Sequence, residues 1–295
     1  MAFRLILLLV LFTALAASAP AQSRERRTTI ATVLLNNSEL ERNVSDLYEK
    51  SFLAADLDVL DRDLTRAAAR GAGYAPSLNM AVSEARTFGS AIGSDFFVLI
   101  DAQTLRRSPS SNQIYFDSYA SIFLVSSRTG RLWRFQWIKL HGPTPGQAER
   151  HLLKGMSDSK QPEPLIEVVR QAEEEERNRR ALAVGREIPV IEVAPDDSET
   201  ATAEGIQLPR PFRRLQPPYT ETAASAEVEA VVDVIVDLDK NGEVVYREIA
   251  RWAGFDLDEA TLDTVKKLHF FPAMRNGAAI PLRVLLRYNF RKPPK

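Results

Sequence analysis

From Val228 to Leu238 the chain alternates. Val228, Ala230, Val232, Val234, Val236 and Leu238 fall on one side, with Glu229, Asp233 and Asp237 among the residues between them. A period of two predicts a long strand with one apolar face. Asn241-Gly242 then predicts a hairpin turn, and 244–250 the return strand. Asp256 is placed as a helix N-cap, with Glu259 completing a capping box. Leu257, Thr261, Thr264, Val265 and Leu268 form the buried stripe at helical spacing. Pro272 disfavours helix in the residue before it, so Phe270 and Phe271 leave the helix and at least one ring folds back onto the core. Asn276-Gly277 turns the chain into a last strand. There Leu282, Val284, Leu286, Tyr288 and Phe290 face inward, and Arg283, Leu285, Arg287 and Asn289 outward.

Upstream the pattern is mixed. "TTIATVLL" predicts a strand, "SELERNVSDLYEKSFLA" a helix, "LDVL" a short strand, 63–69 a helix, and "NMAVSEARTFGSAI" a helix ended by Gly93. Three strands in succession (95–105, 113–126, 131–140) and a short helix over 147–156 complete the unit. Helices first and a meander after them imply α+β, with a mixed sheet and helices on one face. Trp133, Phe135 and Trp137 are expected on one core-facing side of the third strand.

Between the two lies a compositionally distinct connector, 157–205. "SDSKQPEP" breaks the chain, and "LIEVVRQAEEEERNRRALA" reads as a charged helix with Glu173/Arg177, Glu175/Arg179 and Glu176/Arg180 at i,i+4. It is either a semi-rigid spacer or a helix packed on the first unit through Ile166 and Val169. The small, acidic stretch 194–205 is expected to be flexible. The organisation is thus two α/β-sandwich-type domains, 28–156 and 206–290, joined by a charged helix and flexible linker, and folding independently.

The N-terminus bears on compartment. Arg4 precedes an apolar run from Leu5 to Ala17, about 13 residues and short for a bilayer span. Ala19-Pro20-Ala21 predicts signal cleavage after residue 21; the alternative is an uncleaved inner-membrane anchor. Removing Arg4 with residues 1–21 lowers the formal net charge from -1 to -2, which points to no nucleic-acid partner. The chain has no cysteine, which excludes thiol catalysis, disulfides and iron–sulfur clusters. His141, His151 and His269 have no metal-ligand spacing, and no phosphate loop or Gly-x-Ser-x-Gly is present. The RERR run at 24–27 reads as a solvated segment. No enzyme, cofactor, metal or small-molecule substrate is expected.

The C-terminal pattern resembles the C-terminal domain of TonB. The resemblance is carried by Pro218-Tyr219, the valine-rich strand, Asn241-Gly242-Glu243-Val244, Gly254-Phe255-Asp256-Leu257-Asp258-Glu259-Ala260, Phe270-Phe271-Pro272-Ala273-Met274-Arg275-Asn276-Gly277 and the final Phe290. Thr220, Leu268 and Asn241 depart from the family pattern. The earlier unit resembles the N-terminal domain of TolB-like proteins through Gly93-Ser94-Asp95 and the strand–turn–strand Val125 to Leu132. The resemblance implies a periplasmic adaptor that adds an extended peptide of an outer-membrane receptor or other envelope protein to its sheet edge, and takes part in energy transduction. The alternative is a non-transducing envelope-assembly scaffold that uses the fold to dock. Arg283, Leu285, Arg287 and Asn289 are the partner-binding candidates, the arginines selecting an acidic segment. A membrane contact through an uncleaved N-terminus stays open.

Overall fold

The structure, a computed structural model, describes residues 27–74, 77–108, 114–183, 191–194 and 198–292. The expected signal segment, 1–21, lies outside the described residues. The first unit runs β1 (Thr29–Leu34), α1 (Glu39–Ala54), β2 (Asp58–Val59), α2 (Arg62–Gly71), α3 (Val82–Ile92), β3 (Phe96–Arg107), β4 (Tyr115–Ser126), β5 (Leu132–Gly142) and α4 (Pro145–Asp158). Ser38 and Glu41 close a capping box on α1, and Thr144 with Pro145 starts α4. The strands make one mixed sheet in the order β2-β1-β3-β4-β5, parallel over the first three and antiparallel over the last three.

Helices cover both faces of this sheet, a correction to the single face expected. In β3, Phe96, Val98 and Ile100 pack with α1 and α4, while Phe97 and Leu99 pack with α2 and α3. The cause is topological. The α1 crossover leads to one side of β1 and the α2–α3 crossover returns to the other, and crossovers of one hand running in opposite directions lie on opposite faces. A second correction concerns β5. Its register slips between Leu124 and Val125, opposite Trp133, so that Trp133 packs against the α1/α4 side and Phe135 and Trp137 against the other.

The connector begins with α5 (Glu163–Ala183), a part of the first unit. Leu165, Val169 and Ala172 are wholly buried in the α1/α4 core. Glu175 keeps its i,i+4 pair with Arg179 at 2.6 Å. Glu173 and Glu176 reach back across the unit, Glu173 to the Thr28 hydroxyl and Glu176 to Arg128 and Thr129. Beyond it come β6 (Glu192–Val193), α6 (Ser198–Ala203), β7 (Ile206–Gln207) and β8 (Arg210–Pro211). Ala201 and Ile206 bury themselves with Ala273 and Leu282, which gives the stretch expected to be flexible an apolar anchor.

The C-terminal unit adds α7 (Glu221–Ala226), β9 (Ala230–Leu238), β10 (Val244–Arg251), α8 (Leu257–Val265), β11 (Phe270–Phe271), β12 (Ala273–Arg275), β13 (Ala278–Ile280) and β14 (Leu282–Phe290). β10, β9, β14 and β6 form a sheet in that order. The small pairings β11-β8 and β13-β12-β7 stitch 206–211 onto 270–280. Gly242 adopts φ +81° in the hairpin, where a Cβ would meet the Phe270 carbonyl oxygen at 2.0 Å. Of the two phenylalanines, Phe270 is buried, while Phe271 is exposed and packs on Phe212 with ring centroids 4.3 Å apart.

The two units meet through one continuous core. Trp252 (1 % exposed) and Phe255 sit 5.7 and 5.8 Å from the Phe123 ring of β4, and Phe255 lies 4.6 Å from Phe135. Trp252 Nε1 donates to the Gly130 carbonyl at 3.1 Å. Asn79 donates to the Val231 and Trp252 carbonyls at 2.8 and 2.7 Å, and its Oδ1 accepts from the Val231 N–H at 3.0 Å. Gly254 (φ +70°) makes this approach possible, since a Cβ there would stand 2.5 Å from the Phe123 ring. The independent folding expected of the two units therefore meets a shared buried surface.

Candidate partner-binding strand

β14 is paired with β9 along its whole length, from Leu282↔Leu238 to Phe290↔Ala230. Leu282 and Phe290 are buried, and Val284, Leu286 and Tyr288 pack partly buried against the cores beneath the sheet. The odd-numbered side chains lie on the opposite face, as strand alternation requires. Leu285 is 56 % exposed, opposite Ile235.

The two arginines are already occupied. Arg283 makes a two-pronged contact with Asp237 at 2.6 and 2.7 Å, and Arg287 one with Asp233 at 2.8 and 3.0 Å. Arg251 of β10 approaches Asp233 from the other side at 3.5 Å and holds Glu84 of α3 at 3.1 Å. Both aspartates are buried, and their hydrogen bonds hold Arg283 and Arg287 above the ordinary guanidinium value. Selection of an acidic peptide by free arginines is thus not what the geometry offers. The guanidiniums satisfy β9, and Leu285 and Asn289 remain as outward side chains. A clue was present in the sequence. Asp233/Asp237 and Arg283/Arg287 share a spacing of four, which antiparallel pairing brings into register.

The backbone edge is the more telling feature. β6 runs parallel to β14 only at Leu282 and Arg283, and the Ala194 N–H donates to the Arg283 carbonyl at 2.8 Å. Arg283 therefore turns its backbone groups away from β9. Because these groups alternate along a strand, Leu285, Arg287 and Asn289 also direct N–H and C=O outward. Among the described residues no strand pairs with β14 on this side beyond Arg283. The residues proposed for their side chains thus come together as an open ladder.

Near α8, Asp256 is left-handed (φ 62°) and makes no side-chain cap, which corrects the predicted capping box. An N-cap needs extended backbone. The buried carboxylate of Asp258 instead ties down the preceding loop, accepting from the Ala253 and Gly254 N–H groups at 2.9 and 2.8 Å. Burial pushes Asp258 up to about 7. His151 Nδ1 lies 2.8 Å from the His141 carbonyl, and His269 lies 2.9 Å from Glu243. Among the described residues no three His, Asp or Glu side chains converge as metal ligands, and no helix is long and apolar enough to cross a membrane.

This strand–hairpin–helix–strand unit can be set beside known families. Residues 215–291 match the model of the Gram-negative bacterial TonB protein C-terminal family. The matched region holds β9, β10, α8 and β14, so the open ladder lies inside the TonB-like unit. No curated protein matches the chain in sequence. Three solved structures are similar to parts of it. Lipoprotein GNA1162 from Neisseria meningitidis shares 11% identity, over 45% of this chain and 96% of that one, with a TM-score of 0.33. The hypothetical protein CT253 from Chlamydia trachomatis shares 9%, over 45% and 95%, with a TM-score of 0.31. The LpoB C-terminal domain from Salmonella enterica shares 15%, over 39% and 82%, with a TM-score of 0.25.

Proposed function

We propose that this chain is a non-catalytic adaptor of the bacterial envelope, exported to the periplasm, that captures an extended segment of an envelope protein on the outer edge of β14. The observation that carries the reading is the ladder at Leu285, Arg287 and Asn289 within the TonB-like unit, which no strand among the described residues pairs. Main-chain hydrogen bonds supply affinity in such strand addition, and alternate side chains supply register. With both arginines neutralised by β9, exposed Leu285 favours an apolar residue on the incoming strand.

Two roles fit that binding mode: energy transduction to an outer-membrane receptor, and docking within an envelope assembly. The shared core at Trp252 and Phe255 favours docking, because it holds the TonB-like unit on the first unit as a fixed platform. Residues 28–156, which resemble the TolB N-terminal domain, would then present a second surface.

Leu285→Pro tests the reading, since it removes one outward N–H while the β14–β9 bonds run through the neighbouring residues. With a photocrosslinker at Asn289, the parent protein should capture an envelope protein in cells. The proline variant should lose the product while its circular dichroism is retained. Undiminished capture by a folded variant would remove β14 from the mechanism.

A further inference from the structure

A second, smaller feature lies where the two units meet. β3 and β4 pair Asp101 with Ser121, and β4 and β5 pair Ser121 with Trp137, so three polar side chains form one row across the sheet. This row lies beyond the aromatic contact with Trp252 and Phe255. A cavity of about 200 Å³ opens over it, with Asp101, Tyr119 and Ser121 on the sheet side and Val228, Ala253 and Phe255 on the other.

The row is not satisfied from within. Ser121, which lines the cavity, is 0 % exposed, and its buried Oγ has no hydrogen-bond partner among the described residues. Trp137 Nε1, buried beside it, has none either. Asp101 is 5 % exposed and, among the described residues, is hydrogen-bonded only by neutral amides, Gln103 Nε2 at 2.9 Å and Asn36 Nδ2 at 3.3 Å. The same Asn36 amide also serves the buried carboxylate of Glu41, so two acids share one neutral donor. The cations of neighbouring rows are engaged elsewhere. Arg107 pairs with Asp117 and Glu227, and Lys139 lies over the Trp137 ring at 5.3 Å. Burial holds Asp101 above the ordinary carboxylate range and raises the Tyr119 phenol to about 12. Among the described residues, a buried carboxylate that no cation meets, an unfilled hydroxyl acceptor and two aromatic rings around a small space suit a compact organic cation carrying N–H donors.

We propose that this cavity binds a small primary ammonium ion. Asp101 holds its charge, Ser121 Oγ accepts one of its N–H groups, and Tyr119 and Phe255 flank its alkyl part. The site is independent of the β14 edge and adds a small ligand where the sequence suggested none. Since the cavity is walled by both units, an occupant would also tie them together.

The test is an NMR titration of the full chain with ethylammonium chloride, with 1-propanol as the neutral isostere and sodium chloride as the ionic control. Saturable shifts at Ser121, Asp101 and the Trp137 indole N–H are expected with ethylammonium alone. Asp101→Asn should weaken binding about tenfold or more, the worth of one charge-assisted hydrogen bond. Ser121→Ala, which keeps the charge, should weaken it less. The inference is overturned if ethylammonium gives no saturable shift, leaving the cavity to water, if 1-propanol shifts the same resonances equally, or if folded Asp101→Asn binds as the parent does.

Discussion

Asp258 is a single carboxylate that closes the loop docking the TonB-like unit onto the first sheet. Its two backbone donors favour the charged form, but burial outweighs them and raises its pKa from 3.8 to about 7. The folded state therefore holds the proton more tightly than the unfolded chain does. This contribution to stability is fully present below about pH 4 and is lost as pH rises through about 7. Urea unfolding from pH 5 to 8 should show stability falling with pH relative to Asp258→Asn, in which this component is absent. Equal slopes in the two proteins would contradict it. The sequence placed the N-cap position at Asp256, where the structure has it, but expected a capping box that the Asp256 side chain does not make. The left-handed turn at Phe255 and Asp256 follows from how the loop must reach Phe123, and residue spacing carries no trace of that.

At the scale of elements, β9 and β14 are held together as much by their polar face as by their apolar one. Arg283→Ala would leave buried Asp237 without its partner. Partial exposure of the arginine screens the loss, so destabilisation of roughly 1–2 kcal/mol is expected. In a double-mutant cycle, Asp237→Asn should recover part of it, and additive effects would show that the pair is not coupled. Both strands, the hairpin and α8 were legible because alternation and turn residues are local signals. The side of β14 that stays open was not legible, because it depends on where β6 stops. Trp133 likewise left its expected face through a slip of register that period-two alternation does not record.

Taken as a molecule, the chain buries residues of both units in one cluster, from Phe88, Phe97 and Phe123 to Val234, Trp252 and Phe255. Composition drew the boundary at the connector, yet the helix there packs into the first unit and Trp252 of the second unit packs onto the sheet of the first. Such contacts between distant segments are what a single sequence read by pattern shows least. Heat or urea should unfold the two units together, and Trp252→Ala should destabilise the whole by about 3–5 kcal/mol. Two resolved transitions, with only the later unit affected, would contradict a common core.

The central claim is that β14 presents an unpaired ladder to a partner strand, and residue-resolved amide hydrogen exchange addresses it directly. In the free protein the Leu285, Arg287 and Asn289 amides should exchange fast, while Leu286 and Tyr288, bonded to β9, exchange slowly. A bound partner should protect the three odd-numbered amides and leave the even-numbered ones as they were. Slow exchange at 285, 287 and 289 without a partner, or fast exchange there in the complex, would contradict the account.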